Sequence, residues 1–304
     1  MGSAEAYLRG PVRRAYFARR FRADPTSRLA LWARRIAGFS VAVVILGIGI
    51  VQVGILEIIP SLAAFAGGLL LAAVAIVLAL LAFIVIWREG LAGFGMAITA
   101  LLVGVAILAY PAWFGVKAYR LPAIYDITTD PIDPPRFEQI ARLRPREANP
   151  IVYAGLRAAE LQKAAYPNVE PLIVSSTPQV AYDAAMQVIT KRKWRIMAER
   201  PPQAGRRDGQ IEAIARTPIM GFREDVSLRI RTTRGGVRID VRSASRYGRH
   251  DLGSNASRVK SLLDDIDDVV TTKQEKDERA EKRKAQQQKP APAKGGPQSK
   301  KPSS

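Results

Sequence analysis

Hydrophobic positions fall into two regimes along the chain. Between Ile36 and Val116 they are continuous rather than periodic, in three runs: Ile36–Leu56, Ile58–Ile86 and Leu91–Val116. Each run exceeds the roughly 20 residues that a helix needs to cross a hydrocarbon core. Glu57 with Pro60 and Ser61 marks the first turn, and Trp87 to Gly90 the second. The short connections make the helices antiparallel neighbours. A cleavable leader is the competing reading of the first run. The long basic lead and the lack of a small-x-small site after a short apolar stretch favour a retained helix.

Beyond Lys117 the pattern becomes periodic. "DITTDPIDPPRF" reads as an extended Pro-rich linker, and residues 117–176 as linker and irregular chain. At Thr177 an N-cap followed by Pro178 opens a helix carrying Ala181, Ala184, Ala185 and Val188. "WRIMAE", "QIEAIAR", "EDVSLRIRTT" and "VRIDVRSASR" alternate with period two and read as strands. A Gly235-Gly236 turn would pair Arg234 with Val237, setting Arg231 across from Asp240 and Arg229 across from Arg242, a like-charge pair. A last helix carries the stripe Val259, Leu262, Leu263, Ile266, Val269 and Val270, capped by Ser254 or Asn255. The expectation is three transmembrane helices followed by an α+β domain over 177–271. In that domain two helices pack on one face of an antiparallel four-stranded sheet. Residues 272–304 read as a disordered basic tail.

Charge then orients the picture. The net charge is +19, and nine arginines stand against two acids in the lead, residues 1–35. Arginines before the first span favour the cytoplasm, and three crossings would place the C-terminal domain in the periplasm of a bacterial inner membrane. The excess of cations predicts anionic partners: membrane lipids first, for which "RRAYFARRFR" suits a basic-aromatic surface helix, and nucleic acid after them. No Asp, Glu, Lys, Arg or His lies within the three runs, which argues against a transporter or proton relay. Ala64, Gly68 and Ala72 form a small-residue ridge for oligomerisation or, the favoured reading, for packing of the three helices on one another. Cysteine is absent and there is one histidine, so no cofactor and no metal site is expected.

The candidate chemistry sits in "DVRSASRYGRHDLGSN". Ser243 and Ser245 take the core-facing parity of their strand, and Arg242, Arg246 and Arg249 gather before a helix N-terminus, where an anion is favoured. With Arg229, Asp251 and Asn255 they form the candidate anion- or partner-binding set. The competing reading is a self-satisfied corner in which Asp251 pairs with Arg246 or Arg249 while Ser254 or Asn255 caps the helix. A catalytic reading would take Ser243 or Ser245 as nucleophile, His250 as base and Asp251 as orienter. Adjacent His and Asp rarely bond productively, and no nucleophile elbow is present.

"AAYPNVEPL", "GQIEA", "GFREDVSLRI" and "IDVRSASRYGRHDLGSNASRV" resemble the bacterial and plastid family called domain of unknown function 1499, over about residues 135–270. Tyr166, Pro167, Glu212, Gly221, Phe222, Asp225, Arg229, Arg242, Ser243, Ser245, Arg246, Gly248, Asp251, Leu252, Gly253 and Asn255 stand at the family's recognisable positions. His250 stands where a smaller polar residue is usual. The resemblance implies the domain and an important corner, some relatives having membrane helices before it, but no reaction. The expectation is a non-enzymatic membrane-anchored envelope protein that binds an anionic ligand or an envelope protein. Alternatives are an envelope hydrolase of phosphoesters or acyl groups and a membrane-tethered nucleic-acid binder.

Overall fold

The computed structural model describes residues 25–53, 58–203 and 208–287. The greater part of the basic lead, Glu57 and residues 288–304 lie outside that set. The chain divides into two compact units: the helical segment to Leu121 together with Thr217–Phe222, and the remainder from Pro122.

The first unit contains helices α1 (Arg28–Val53), α2 (Ile58–Glu89) and α3 (Phe94–Arg120), each long and apolar enough to cross a membrane. Pro60 and Ser61 lie in the first turn of α2 rather than in a connection. A proline is tolerated there because its missing N–H would have had no helical partner. The buried positions are small and recur at spacings of three and four: Ala30, Ala33 and Ala37 on α1; Ala72, Ala75, Ala79 and Ala82 on α2; Ala97, Ala100 and Gly104 on α3. That repeat is the seam of a left-handed antiparallel bundle. Larger side chains such as Leu70, Val77, Leu80, Leu102 and Val105 point outward. The inversion suits lipid, which is as apolar as leucine, so close backbone approach rather than burial of bulk holds the helices together. Gly68 lies against Val43 and Val44 of α1. Backbone bonds from Ser27 to Ala92 (2.9 Å) and from Ala92 to Pro25 (3.1 Å) tie the start of α1 to the α2–α3 turn.

The second unit is an α+β domain with an antiparallel sheet of six strands rather than four. The strands are β1 (Asp126–Thr128), β2 (Leu172–Val174), β3 (Arg195–Arg200), β4 (Gly209–Arg216), β5 (Arg223–Thr233) and β6 (Gly236–Ser245). Their order is β1-β6-β5-β4-β3, with β2 also pairing β6. Both extra strands come from the segment read as linker. They are three residues each, too short for an alternating pattern to register, and both dock on the outer edge of β6. The same segment holds α4 (Gln139–Leu143) and α5 (Leu156–Ala165). Gln162 on α5 closes the open edge of β1 with its amide, bonding Thr128 N (3.0 Å) and Thr128 O (2.7 Å).

One sheet face carries Ile211, Ala213, Val226, Leu228, Ile230, Val237, Ile239 and Val241 beneath α6 (Pro178–Lys191) and α7 (Ser254–Gln287), as the periodicity requires. Thr177 caps α6 through Val180 N, as expected from its sequence. The other face is covered by a strap, residues 129–155, whose Phe137, Ile140 and Ile151 pack with Ala244, Met197 and Ile214.

The hairpin register differs from the expected one by two residues. Thr233 pairs with Gly236, so Arg234 and Gly235 make the turn. Gly236 is recruited by the sheet instead: its φ is +127°, and a Cβ there would stand 2.5 Å from the Val174 carbonyl of β2. A two-residue slip preserves which side chains face the core, but it changes the cross-strand partners. Arg229 faces Asp240, Ser227 faces Arg242, and the like-charge pair is Arg231 with Arg238. Helix α7 also runs past the expected end at Thr271 to Gln287. Over residues 272–284 the extension is exposed apart from the half-buried Gln274, and it carries the i,i+4 pairs Glu275–Arg279 and Glu278–Lys282.

Candidate functional site

The strand polarity places two polar layers in the domain, one on each face of β5 and β6. On the helix face the alternation that supplies Val237, Ile239 and Val241 continues as Ser243 and Ser245, both buried. They lie under the first turn of α7. Ser243 Oγ donates to Asn255 Oδ1 (2.9 Å), and Asn255 Nδ2 donates to Ser245 Oγ (2.9 Å) and to the Tyr125 carbonyl (2.9 Å). Ser245 and Ser254 donate to Glu224 Oε1, and Arg258 pairs with Glu224 Oε2. Burial pushes the Arg258 guanidinium down to about 10. Asp251, rather than Ser254 or Asn255, caps α7: its carboxylate accepts from the amides of Gly253 (3.1 Å) and Asn255 (3.1 Å), and from Tyr166 Oη. Burial raises the Asp251 pKa in spite of those amides.

On the strap face the arginines meet carboxylates. Arg242, 3 % exposed, forks onto Asp126 (2.6 Å at the shorter contact), donates to the carbonyls of Pro135 and Ile151, and stacks 4.7 Å from the Phe137 ring. Burial raises the Asp126 pKa against the opposing pull of Arg242. Burial beside Asp126 likewise pushes the Tyr153 phenol up to about 12. Arg246 bonds Asp225 Oδ1 (2.7 Å), and Arg144 of the strap takes Asp225 Oδ2 (2.9 Å). Asp251 therefore pairs with neither Arg246 nor Arg249. Glu212 accepts from the amides of Glu138, Gln139 and Ile140 and so caps the start of α4.

Farther along the same face, Arg229, Arg231 and Arg238 converge on Asp130 and Asp240, at 2.8–3.3 Å. Asp240 is buried. A third acid, Asp133, closes the cluster from the strap at 2.7 Å from Arg229 and keeps a side chain 56 % exposed. Burial tends to raise the Asp130 pKa, but the Asp133 amide and the surrounding arginines outweigh it and hold the carboxyl below its usual range.

Of the residues read from sequence, Ser243, Ser245 and Asn255 thus form one cluster with Glu224 and Arg258. Arg242 and Arg246 bind separate carboxylates, and Arg229 belongs to a third group. Arg249 is exposed. Among the described residues no hydrogen bond joins His250 to Ser243, Ser245 or Asp251, and His250 Nδ1 is buried without a partner. Arg238, Asp130 and Asp133 escaped the sequence reading; Arg231, set across from Asp240 there, does pair with it at 2.8 Å but was left out of the candidate set. Their signal was present in the alternation of arginines on β5 and β6 about Asp240, but the acids that answer them sit in the Pro-rich segment.

No curated protein matches the chain. A family model described as protein of unknown function (DUF1499) matches residues 126–266, from the first residue of β1 into α7. The α+β domain of this chain belongs to that family.

Proposed function

We propose that this chain is a non-enzymatic, membrane-anchored envelope protein whose α+β domain, displayed in the periplasm, holds an anionic group of a partner at the Arg229–Arg231–Arg238 face. The observation that carries the reading is the uneven exposure of the acids in that cluster. Two of the three counter-charges, Asp130 and Asp240, are shielded by the sheet and strap, whereas Asp133 reaches in from the rim with more than half of its side chain in solvent. Removing Asp133 would leave three guanidinium groups facing two carboxylates. Guanidinium forks suit carboxylate and phosphate oxygens, so an external anion of either kind can take the place of Asp133. The arginine-rich lead and the odd number of spans support the outward placement.

The test is thermal unfolding of the full chain in detergent, with inorganic phosphate titrated against chloride at constant ionic strength. Asp133→Asn should gain a phosphate-specific rise of about 2–4 °C once phosphate reaches roughly ten times its Kd. Adding Arg231→Gln to that variant should remove the gain. Equal responses of Asp133→Asn to phosphate and chloride would assign the cluster to fastening the strap alone.

A further inference from the structure

We infer that α7 carries a self-complementary charged face on which a second copy of this chain docks antiparallel. The face is built from Asp264, Asp265 and Asp268 in one half of the helix and Arg279, Lys282 and Arg283 in the other, all exposed. The spacings from 264 to 268, 279 and 283 are 4, 11 and 4 residues, which an α-helix keeps on one side. The apolar stripe Val259, Leu262, Ile266 and Val270 is turned the other way, into the domain core.

The sequence numbers themselves set the register. Two such helices laid antiparallel about the midpoint between Lys273 and Gln274 bring Asp264 opposite Arg283, Asp265 opposite Lys282, and Asp268 opposite Arg279. The twofold axis repeats each pair, so each of the three aspartates meets a base, Glu275 meets Thr272, and no like charges are opposed among them. A parallel pairing in register would oppose like charges throughout. The closed antiparallel arrangement is isologous and needs only this surface.

Existing partners do not consume the face. Arg279 and Lys282 reach Glu275 and Glu278 within their own helix at 3.4 and 4.0 Å, and both cations stay 77 % exposed. Asp264 meets Lys260 at 3.3 Å, and Asp265 meets Arg192 at 2.6 Å. Asp268 has no ion-pair partner among the described residues. Exposed ion pairs are individually weak and are screened by salt. The contact therefore suits copies already concentrated in one membrane, where tethering raises the effective concentration. This inference does not depend on the anion reading above.

The absence of cysteine makes the test direct. Thr272→Cys places one thiol per chain beside the twofold axis. The full chain carrying it is reconstituted in phosphatidylcholine vesicles and treated with a short bis-maleimide. A cross-linked dimer is expected at low salt and is expected to fall at least about fivefold near 1 M salt, where the Debye length is about 3 Å. Asp264→Lys with Asp268→Lys should lower the yield by a similar factor, as should Arg279→Glu with Arg283→Glu. All four changes together should restore it, because the pairs are reversed rather than removed. Asp277→Cys, on the opposite side of the helix, reports the yield of random encounters. A yield at position 272 no higher than at 277, an insensitivity to salt, or a quadruple variant no better than either parent would each overturn the inference.

Discussion

Arg242→Gln is expected to destabilise the α+β domain by about 3–5 kcal/mol, the cost of leaving a buried carboxylate without its counter-ion. Arg242 and Asp126 are both nearly inaccessible, and burial already raises the Asp126 pKa while the guanidinium is in place. Glutamine would also forfeit the bonds to the Pro135 and Ile151 carbonyls, which hold two parts of the strap to β6. Arg242→Lys keeps the charge but loses the fork, so its loss should be intermediate. Combining Arg242→Gln with Asp126→Asn should recover part of the loss, because no lone charge remains. By contrast, Arg249→Gln, at an exposed position, should stay within about 0.5 kcal/mol of the parent. Denaturant unfolding of the full chain in detergent, followed through Trp194, measures all four. A change under about 1 kcal/mol for Arg242→Gln would remove the structural role assigned to the pair.

Gly104→Leu is expected to disrupt the helical bundle by about 1–3 kcal/mol through overpacking. Even a Cβ at position 104 would stand 2.6 Å from Ile76 Cγ1 and 3.1 Å from the Ala72 carbonyl of α2. Neither the carbonyl nor a β-branched side chain on a packed helix can yield far, so α2 and α3 must separate. Gly115→Leu, on the same helix with nothing within 4 Å of its Cβ, is the matched control. It should be neutral or stabilising by up to about 1 kcal/mol, since leucine is the better helix former. Titration with a denaturing detergent, read by helix content, separates the two variants. Equal midpoints would contradict the small-residue seam.

How much of this was legible in the sequence depended on which physical constraint wrote each part. Lipid imposes length and apolarity, so the three spans were readable to within a few residues at most ends. Strands β3 to β6 and helices α6 and α7 showed their periods because each buries only one face. Strands β1 and β2 did not, being three residues each and stabilised by docking on β6 and by the Gln162 amide rather than by any pattern of their own. Strap residues such as Asp130 and Asp133 looked like solvated linker because acids among prolines usually are. Only the fold reveals that they answer arginines on the sheet. The hairpin slipped because Gly236 serves the approach of Val174 rather than the turn. That slip created an apparent like-charge pair, Arg229 with Arg242, where the structure puts Asp240 opposite Arg229. The extension of α7 has the composition of a disordered tail, and its i,i+4 pairs were the cue to helix.

The motif positions that carry the family resemblance acquire a physical meaning from these contacts. Glu212 caps α4, Asp225 joins Arg246 to the strap, Asp251 caps α7, and Ser243, Ser245 and Asn255 seat that helix on the sheet. They are joints between layers, where a buried polar group must find a specific partner. Such groups tolerate substitution poorly, since a lost partner leaves a desolvated donor or acceptor. The corner that stood out as a candidate site is thus held together from within, and the Arg229–Arg231–Arg238 face, with its exposed third acid, is the more open of the two.

The placement of the domain outside the cytoplasm can be read from two single-cysteine variants of this cysteine-free chain, Arg249→Cys in the domain and Ser3→Cys in the lead. Intact spheroplasts are treated with a membrane-impermeant maleimide before and after lysis. The expected result is labelling at position 249 in intact spheroplasts and at position 3 only after lysis. Labelling of position 3 in intact spheroplasts, with position 249 protected until lysis, would contradict the periplasmic display of the domain.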